Sequence, residues 1–285
     1  MQDAAKYLDP HLAHHLAKKM PQTDAQAVSD ANKAFKPPLP QALDHANQAA
    51  KPLLDLLANE ELLQQLKAKN TLTISHLAQE HAVPTEHVAA LADHAKLLYE
   101  SGDYATASIE LGLVRALATA DLAFSVLWGK TACDLLLADG PRATQAVQAV
   151  TALREAIDAR ASTTAAAVLL QQRAWLMHWA LVALPQGDGG VALIAEMFAS
   201  DGYVNVIQSL CPHLLRYLAA TVLMSPRKRS ALQELVKLVR LLRRDHSDAI
   251  TSLVEDLYFH ASFDDAQKRL AECATALAKD WFLAN

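Results

Sequence analysis

Three histidines near the start of the chain, His11, His14 and His15, have a spacing that could support metal chemistry. His11 and His15 lie four positions apart, so a helix would place both imidazoles on one face. A helical zinc pair needs a third ligand and commonly has a carboxylate base between its histidines, whereas Leu12, Ala13 and His14 stand between these two. The spacing therefore favours a solvated polar face over a metal site.

Cys211 and His213 flank Pro212 and could suggest an activated thiolate. A nucleophilic cysteine needs a base within hydrogen-bond reach and an oxyanion site, and a cysteine at a helix start has the helix dipole alone. We therefore interpret this stretch as a packed helix start. Cys133, Cys211 and Cys273 are odd in number and far apart, which indicates reduced thiols and no disulfide framework or metal site.

Cations are concentrated between residues 227 and 244. On a helix, those from Arg229 onward lie opposite an apolar stripe, and Glu234 is the one local acidic offset. Such a row could follow RNA phosphates, dock on an acidic partner, or simply be solvated. No aromatic residues interleave it, so base stacking is not indicated. The candidate contact residues, called the basic row below, are Arg227, Lys228, Arg229, Lys237, Arg240 and Arg244.

The sequence contains no GxGxxG, GxxxxGKS or GxSxG string, so no motif indicates nucleotide binding or acyl transfer. We expect no catalytic activity, no cofactor and no bound metal. The net charge of -5 is mild and demands no polyelectrolyte partner. The start of the chain lacks a signal-peptide core, and the most apolar run, residues 174–184, is too short to span a bilayer. These features predict a soluble, cytoplasmic protein with no membrane partner.

Alanine and leucine, both strong helix formers, are the most abundant residues, and glycine occurs only 8 times in 285 residues. An all-α fold follows. Trp175 and Trp179, four positions apart, share one helical face and indicate a deep packing surface. Pro212 suits the first turn of a new helix. A polar seam between repeats is an alternative role for four nearby residues: Arg173, His178, His213 and Arg216.

Two predicted helix starts share a pattern, in which an aromatic residue at the turn is expected to wedge against the previous helix and an alanine lets the two axes approach. They are Tyr104-x-x-Ala107-x-x-x-Leu111 and Phe263-x-x-Ala266-x-x-x-Leu270. Gly102 and Gly140 are separated by roughly the period of a two-helix repeat. We therefore expect a right-handed stack of antiparallel helix pairs, a shape that exposes long edges to partners.

The predicted organisation has an N-terminal helix in residues 1–20 and a weakly structured, proline-bearing connector in 21–50. Helical repeats are expected in 51–200 and a further helical module in 201–285. Residues 74–81 and 248–259 are among the predicted helices.

Several strings resemble a known family. They are LQQRAWLMHWAL, YVNVIQSLCPHLLRYL, Leu127-Trp128-Gly129-Lys130, Phe263-Asp264-Asp265-Ala266-Gln267-Lys268 and Asp280-Trp281-Phe282-Leu283. Together they are similar to the Int-6 family, the E subunits of eukaryotic translation initiation factor three, within the PCI-domain proteins. The resemblance extends from about residue 89 to the end. Its motif residues are Trp128, Arg173, Trp175, His178, Trp179, Pro212, His213, Arg216 and Tyr217.

The resemblance implies a non-catalytic scaffold within a hetero-oligomer. It implies other initiation factor subunits and the small ribosomal subunit as partners, a part in messenger RNA recruitment, and rRNA contact through the basic row as one alternative. It also implies TPR-like or HEAT-like repeats that lead into the helical half of a PCI domain. The winged-helix half is expected to be absent from this chain, which stops at Asn285. Three apolar residues near that end, Trp281, Phe282 and Leu283, are then expected to form an exposed interface.

Two alternatives remain from the residues. A PCI scaffold of the proteasome lid or the COP9 signalosome would share the repeats, although the two long strings resemble the Int-6 family specifically. An enzyme built on a helical bundle would need convergent acids and histidines, which the sequence does not offer.

Overall fold

A computed structural model of the chain describes residues 7–19, 40–58, 86–138, 142–186, 188–224 and 229–284. Within these ranges all regular structure is helical and no strand occurs, which confirms the all-α prediction. The α-helices are α1 (Pro10–Lys19), α2 (Pro40–Ala58), α3 (Glu86–Ser101), α4 (Tyr104–Leu117), α5 (Ala120–Leu136), α6 (Ala143–Ala159), α7 (Ala166–Ala180), α8 (Asp188–Phe198), α9 (Asp201–Ser209), α10 (Leu215–Met224), α11 (Arg229–Leu242), α12 (Ala249–Glu255), α13 (Phe263–Lys279) and α14 (Trp281–Ala284). Short 3₁₀ helices cover Leu181–Gln186 and Pro212–Leu214, and a π-helical turn covers Asp256–His260.

One compact unit comprises residues 9–149. Its helices α2, α3, α4 and α5 pack in chain order, each on the next, as in a stack of helical hairpins. Gly102 has a φ of 96° in the turn between α3 and α4, a conformation that costs glycine little. The Asp103 side chain then caps α4 by accepting a hydrogen bond from the Thr106 N–H at 3.2 Å.

The start of α4 follows the predicted pattern. Tyr104 is half-buried at the turn, and Ala107 and Leu111 are buried in the core of this unit. The same core holds a buried polar pair, in which His94 Nδ1 lies 2.9 Å from Glu110 Oε2. Burial raises the pKa of the Glu110 carboxyl, against the opposing effect of His94.

Helix α1 is anchored on this unit through His11, which is only 6% exposed. Its Nδ1 lies 3.0 Å from the Tyr104 hydroxyl, and the Tyr99 hydroxyl donates to Asp9 Oδ1 at 2.5 Å. Burial lowers the pKa of His11. The prediction of a solvated histidine face is therefore wrong for His11, because an aromatic pocket from α3 and α4 covers it.

A second compact unit comprises residues 1–8 and 150–285. Helix α10 lies at its centre, packed against α8, α11 and α12, and seven of its ten residues are buried. Helix α12 packs in turn on α13. Phe198 and Tyr203 are the largest of the fully buried side chains.

Residues 40–50 differ from the prediction of a weakly structured connector, because they form the first half of α2. Pro40 is the first residue of this helix, where the missing N–H costs no hydrogen bond, and Ala50 and Leu53 are buried in the core. Residues 21–39 and the predicted helix at 74–81 lie outside the described residues.

The predicted helix over 248–259 changes its winding before its end. Asp248 caps α12 in a capping box with Thr251, and from Asp256 the backbone forms the π-helical turn. Ala261 ends this turn in the left-handed region with a φ of 52°, and the Ser262 N–H donates to the Asp256 carbonyl at 3.0 Å. The turn sets the direction in which α13 leaves.

Candidate interaction surfaces

Lys237 and Arg240 of the basic row lie on the side of α11 opposite its buried residues, and Arg244 follows in the turn after the helix. The buried residues of this helix are Leu235, Leu238, Val239 and Leu242. Three of them, Leu235, Val239 and Leu242, belong to the apolar stripe predicted from the sequence. Lys237 is exposed and pairs with Glu234 at 2.7 Å, an i,i+3 ion pair of small energetic value. Arg240 and Arg244 are exposed, and neither forms an ion pair with a described carboxylate.

Other members of the basic row are less well placed. Arg227 and Lys228 lie outside the described residues, and Arg229 is the first residue of α11. Arg243 belongs to the same cationic segment but was not one of the candidate contact residues, and it donates to Glu255 Oε1 at 3.0 Å.

Sequence reasoning missed an aromatic partner for the basic row. The Arg240 guanidinium carbon lies 3.7 Å from the centroid of the Phe259 ring, within the range of a cation–π contact. The two residues are 19 positions apart, so no local pattern on α11 could reveal the contact. An aromatic ring from outside the row therefore adjoins the cations, although none lies among them in the sequence.

His178 and the half-buried His213 form a pair whose Nε2 atoms lie 2.8 Å apart. His178 is completely buried, stacks on the Tyr7 ring at 4.3 Å, and donates from Nδ1 to the Ala174 carbonyl at 2.6 Å. Burial lowers the pKa of His178 to about 4. Both ring nitrogens of His178 therefore have a partner inside this unit.

The two tryptophans of α7 occupy different environments. Trp179 is buried, and its indole N–H donates to the Tyr7 carbonyl at 3.0 Å. Trp175 is half-buried, as is Trp128 on α5. The deep packing surface expected for the pair thus belongs mainly to Trp179.

Arg173 does not join His178 in one polar seam. It pairs with Asp158, with Nη2 to Oδ1 at 2.6 Å, and its guanidinium lies 5.2 Å from the Tyr203 ring centroid. Gly202 leaves room for this guanidinium, since a Cβ there would stand 2.7 Å from Arg173 Nη1.

Arg216 instead joins two buried carboxylates, with Nε to Asp248 at 2.5 Å and Nη1 to Asp280 at 3.0 Å. Burial alone would raise the pKa of Asp248. Hydrogen bonds from His246, Thr251 and Arg216 outweigh burial and hold that pKa below its ordinary range. Arg216 and Tyr217 line a cavity of about 380 Å³ together with residues from the end of α13 and from α14.

The apolar residues near the end of the described chain are only partly available. Phe282 is 3% exposed and meets the Tyr217 ring edge-on, with centroids 5.9 Å apart. The prediction of an exposed interface is therefore wrong for Phe282, because its ring is buried against Tyr217 of α10. Trp281 and Leu283 are half-buried.

No assembled reactive centre is visible in the described part of the chain. All three cysteines are buried, and burial raises the pKa of the Cys133 thiol to about 12 and that of Cys211 and Cys273 above the ordinary value. No group of three or more histidine, cysteine or acidic side chains within the described ranges could hold a metal ion.

None of the described helices is, singly, long and apolar enough to cross a membrane. A pair bent by 77°, Gly189–Phe198 and Asp201–Ser209, reaches the required length and composition only when its two members are taken together.

The fold and these surfaces define an all-α protein of helical-repeat, PCI-like type. No family model matches the chain. It is similar to the E subunit of eukaryotic translation initiation factor 3 from Arabidopsis thaliana, with 32% identity over 244 residues, 85% of this chain and 54% of that protein. The E subunit from Yarrowia lipolytica is 31% identical over 278 residues, 95% of this chain and 64% of that protein. The E subunit from Bombyx mori is 34% identical over 252 residues, 85% and 56% respectively.

By sequence, the chain is a relative of the E subunits of eukaryotic translation initiation factor 3. It covers 54 to 64% of the length of these three relatives.

Proposed function

We propose that the chain acts as a non-catalytic scaffold in the cytoplasmic translation initiation factor 3 complex. It binds other subunits, and it supports assembly on the small ribosomal subunit and recruitment of messenger RNA. The observation that carries the proposal is the similarity to the E subunits over 85 to 95% of this chain, which includes both compact units. Helical hairpins that pack side by side leave long solvent-facing edges, the usual binding surfaces of such scaffolds.

The structure offers a specific surface for this role. Lys237 and Arg240 are exposed on α11, and Arg244 is exposed in the turn that follows it. Exposed cations contribute little to folding but attract phosphates or carboxylates over a Debye length. We therefore propose the basic row as a contact for RNA or for an acidic partner.

The test is affinity purification of the tagged chain from cells, followed by mass spectrometry of the co-purifying proteins. We expect other initiation factor 3 subunits and proteins of the small ribosomal subunit. Recovery of proteasome-lid or signalosome subunits in their place would contradict the proposal.

A matched pair of variants tests the surface. Replacing Lys237, Arg240 and Arg244 with alanine should reduce ribosomal recovery and its salt dependence. The control replaces Lys51, Lys96 and Arg115, which are exposed cations of the other compact unit, and removes the same charge. An equal loss of ribosomal recovery in the two triple variants would show that the effect depends on net charge. That result would contradict a specific role for the basic row.

A further inference from the structure

Aromatic side chains are exposed along the segment that joins α12 to α13. Tyr258 is 51%, Phe259 44% and Phe263 75% exposed. Single exposed apolar residues are common on protein surfaces, whereas three aromatic residues within six positions are not. The π-helical turn and the left-handed Ala261 hold the backbone of this segment in a defined shape. Since π-helical turns are frequent at functional sites, the segment is a candidate for binding.

An arginine and a histidine adjoin one of these rings. Arg240 lies over Phe259, and His260 contacts its edge with centroids 4.9 Å apart. Arg243 and His260 share the Glu255 carboxylate, at 3.0 and 3.6 Å. With Arg244 four positions beyond Arg240, three arginines lie near the Glu255 carboxylate. The exposed Asp245 directly follows Arg244, so a surplus of one positive charge remains.

The acidic residues that follow are largely compensated. Asp256 pairs with Arg269 at 3.5 Å, and Asp265 pairs with Lys268 at 3.2 Å. Asp264 is exposed at the start of α13, beside Phe263. The surplus of positive charge is therefore centred on Phe259 and α11, and Phe263 marks its edge.

We propose that this surface binds single-stranded RNA, with bases stacked on Phe259 and Tyr258 and phosphates held by Arg240 and Arg244. Exposed rings beside arginines that pair with no described carboxylate are the combination that single strands require, because every base has a face to stack and every linkage has a charge. A guanidinium stacked on a ring also extends the flat platform. This inference rests on the proposed function and deepens it, since it names the ligand of the basic row.

A binding measurement on the purified chain tests the inference. The probe is a fluorescently labelled single-stranded oligouridine of about twelve nucleotides, followed by anisotropy across a salt series. Phe259→Leu keeps an apolar side chain but removes the ring, and should weaken binding about fivefold or more. Replacing Arg240 and Arg244 with alanine removes two phosphate contacts, and should reduce the slope of log K against log salt by about 1.4.

The controls separate stacking from general attraction. Leu270→Ala changes another exposed apolar residue, on α13, and should leave binding unchanged. Lys96→Ala with Arg115→Ala removes two exposed cations elsewhere and should leave the slope unchanged. Equal affinity for a duplex of the same length, or equal binding by wild type and Phe259→Leu, would overturn the inference.

Purification from cells distinguishes failure of this inference from failure of the proposed function. If the wild type binds no RNA while its initiation factor subunits still co-purify, the RNA site is refuted and the scaffold role stands. If Phe259→Leu instead loses those subunits, the surface belongs to a protein partner and the RNA site is equally refuted.

Discussion

The Nε2 atoms of His178 and His213 lie 2.8 Å apart in the core of one compact unit. A carbonyl oxygen can only accept, so the His178 Nδ1 that bonds to the Ala174 carbonyl carries the ring proton. Nε2 of His178 is then the acceptor, and His213 must donate from Nε2. The contact requires both rings to be neutral or His213 alone to be charged. In either state the hydrogen bond runs from His213 to His178.

This pair predicts loss of stability at mildly acidic pH. Burial lowers the pKa of His178 from 6.5 to about 4, so between these values the unfolded chain binds the proton that the folded chain refuses. Stability is therefore fully present above pH 6.5 and falls by about 3 kcal/mol as the pH drops to 4. Urea unfolding at several pH values measures the slope. A His178→Gln variant with the same slope as wild type would contradict the assignment to His178.

Trp179→Ala should lower the free energy of unfolding by about 3 to 5 kcal/mol, because it empties a buried indole site. Trp179→Phe retains most of the apolar volume and loses the hydrogen bond to Tyr7, so about 1 kcal/mol is expected. The control Trp175→Ala affects a half-buried ring and should cost less than Trp179→Ala. Chemical denaturation ranks the three variants, and an unchanged midpoint for Trp179→Ala would place that ring on the surface.

Two glycine substitutions should act in opposite directions. Gly112 lies inside α4 with no atom within 4 Å of an added Cβ, so Gly112→Ala should stabilise by about 0.5 to 1 kcal/mol. At Gly202 the added Cβ would meet an arginine held by Asp158 and Tyr203, and Gly202→Ala should destabilise by about 1 kcal/mol. Melting temperatures compare the pair; stabilisation by both would show that Arg173 moves aside freely.

Removal of exposed cations from the basic row should affect folding little. Lys237→Ala and Arg244→Ala should each change stability by no more than about 0.5 kcal/mol. Arg240→Ala also removes the contact with Phe259 and should cost about 0.5 to 1 kcal/mol. Thermal melts of the single variants give the ranking, and a large loss in Lys237→Ala would show that the row is structural.

Breaking the ion pairs between Arg216 and its two carboxylates should lower the free energy of unfolding more than removing an exposed cation does. Arg216→Ala leaves Asp248 and Asp280 buried without their cation, so a loss of about 3 kcal/mol or more is expected. Since the pKa of Asp248 is held low, its contribution is present above pH 3.8 and disappears as the pH falls further. Arg216→Lys keeps the charge without the two-armed geometry and should recover part of the loss. A neutral Arg216→Ala in urea unfolding would contradict the bridge.

The helices were largely predictable because their signals are local. The turn at Gly102 and Asp103, the start at Pro212 and the apolar side of α11 all follow from residue types and the helical period. Residues 40–50 were missed since the prolines obscured a helix that is stabilised by the buried Ala50 and Leu53.

Side-chain environments depended on tertiary structure. Tyr104 and Phe263 open the same sequence pattern, yet Tyr104 meets His11 and Tyr99 whereas Phe263 is exposed. The difference arises because a π-helical turn redirects the chain before Phe263. For the same reason Phe259 reaches Arg240 across two helices, a contact that no spacing along the chain encodes.

Because the three cysteines are buried, their reaction with thiol reagents can report local opening of the fold. Cys133, Cys211 and Cys273 lie on α5, before α10 and on α13, and each is closed to solvent in the folded chain. A thiol reagent can reach them only when the surrounding packing opens, so the labelling rate of each one reports the local opening free energy of its own region. The chain thus carries three native probes of local opening, one in the unit of residues 9–149 and two in the other. Their labelling rates compare local opening between regions without any engineered cysteine.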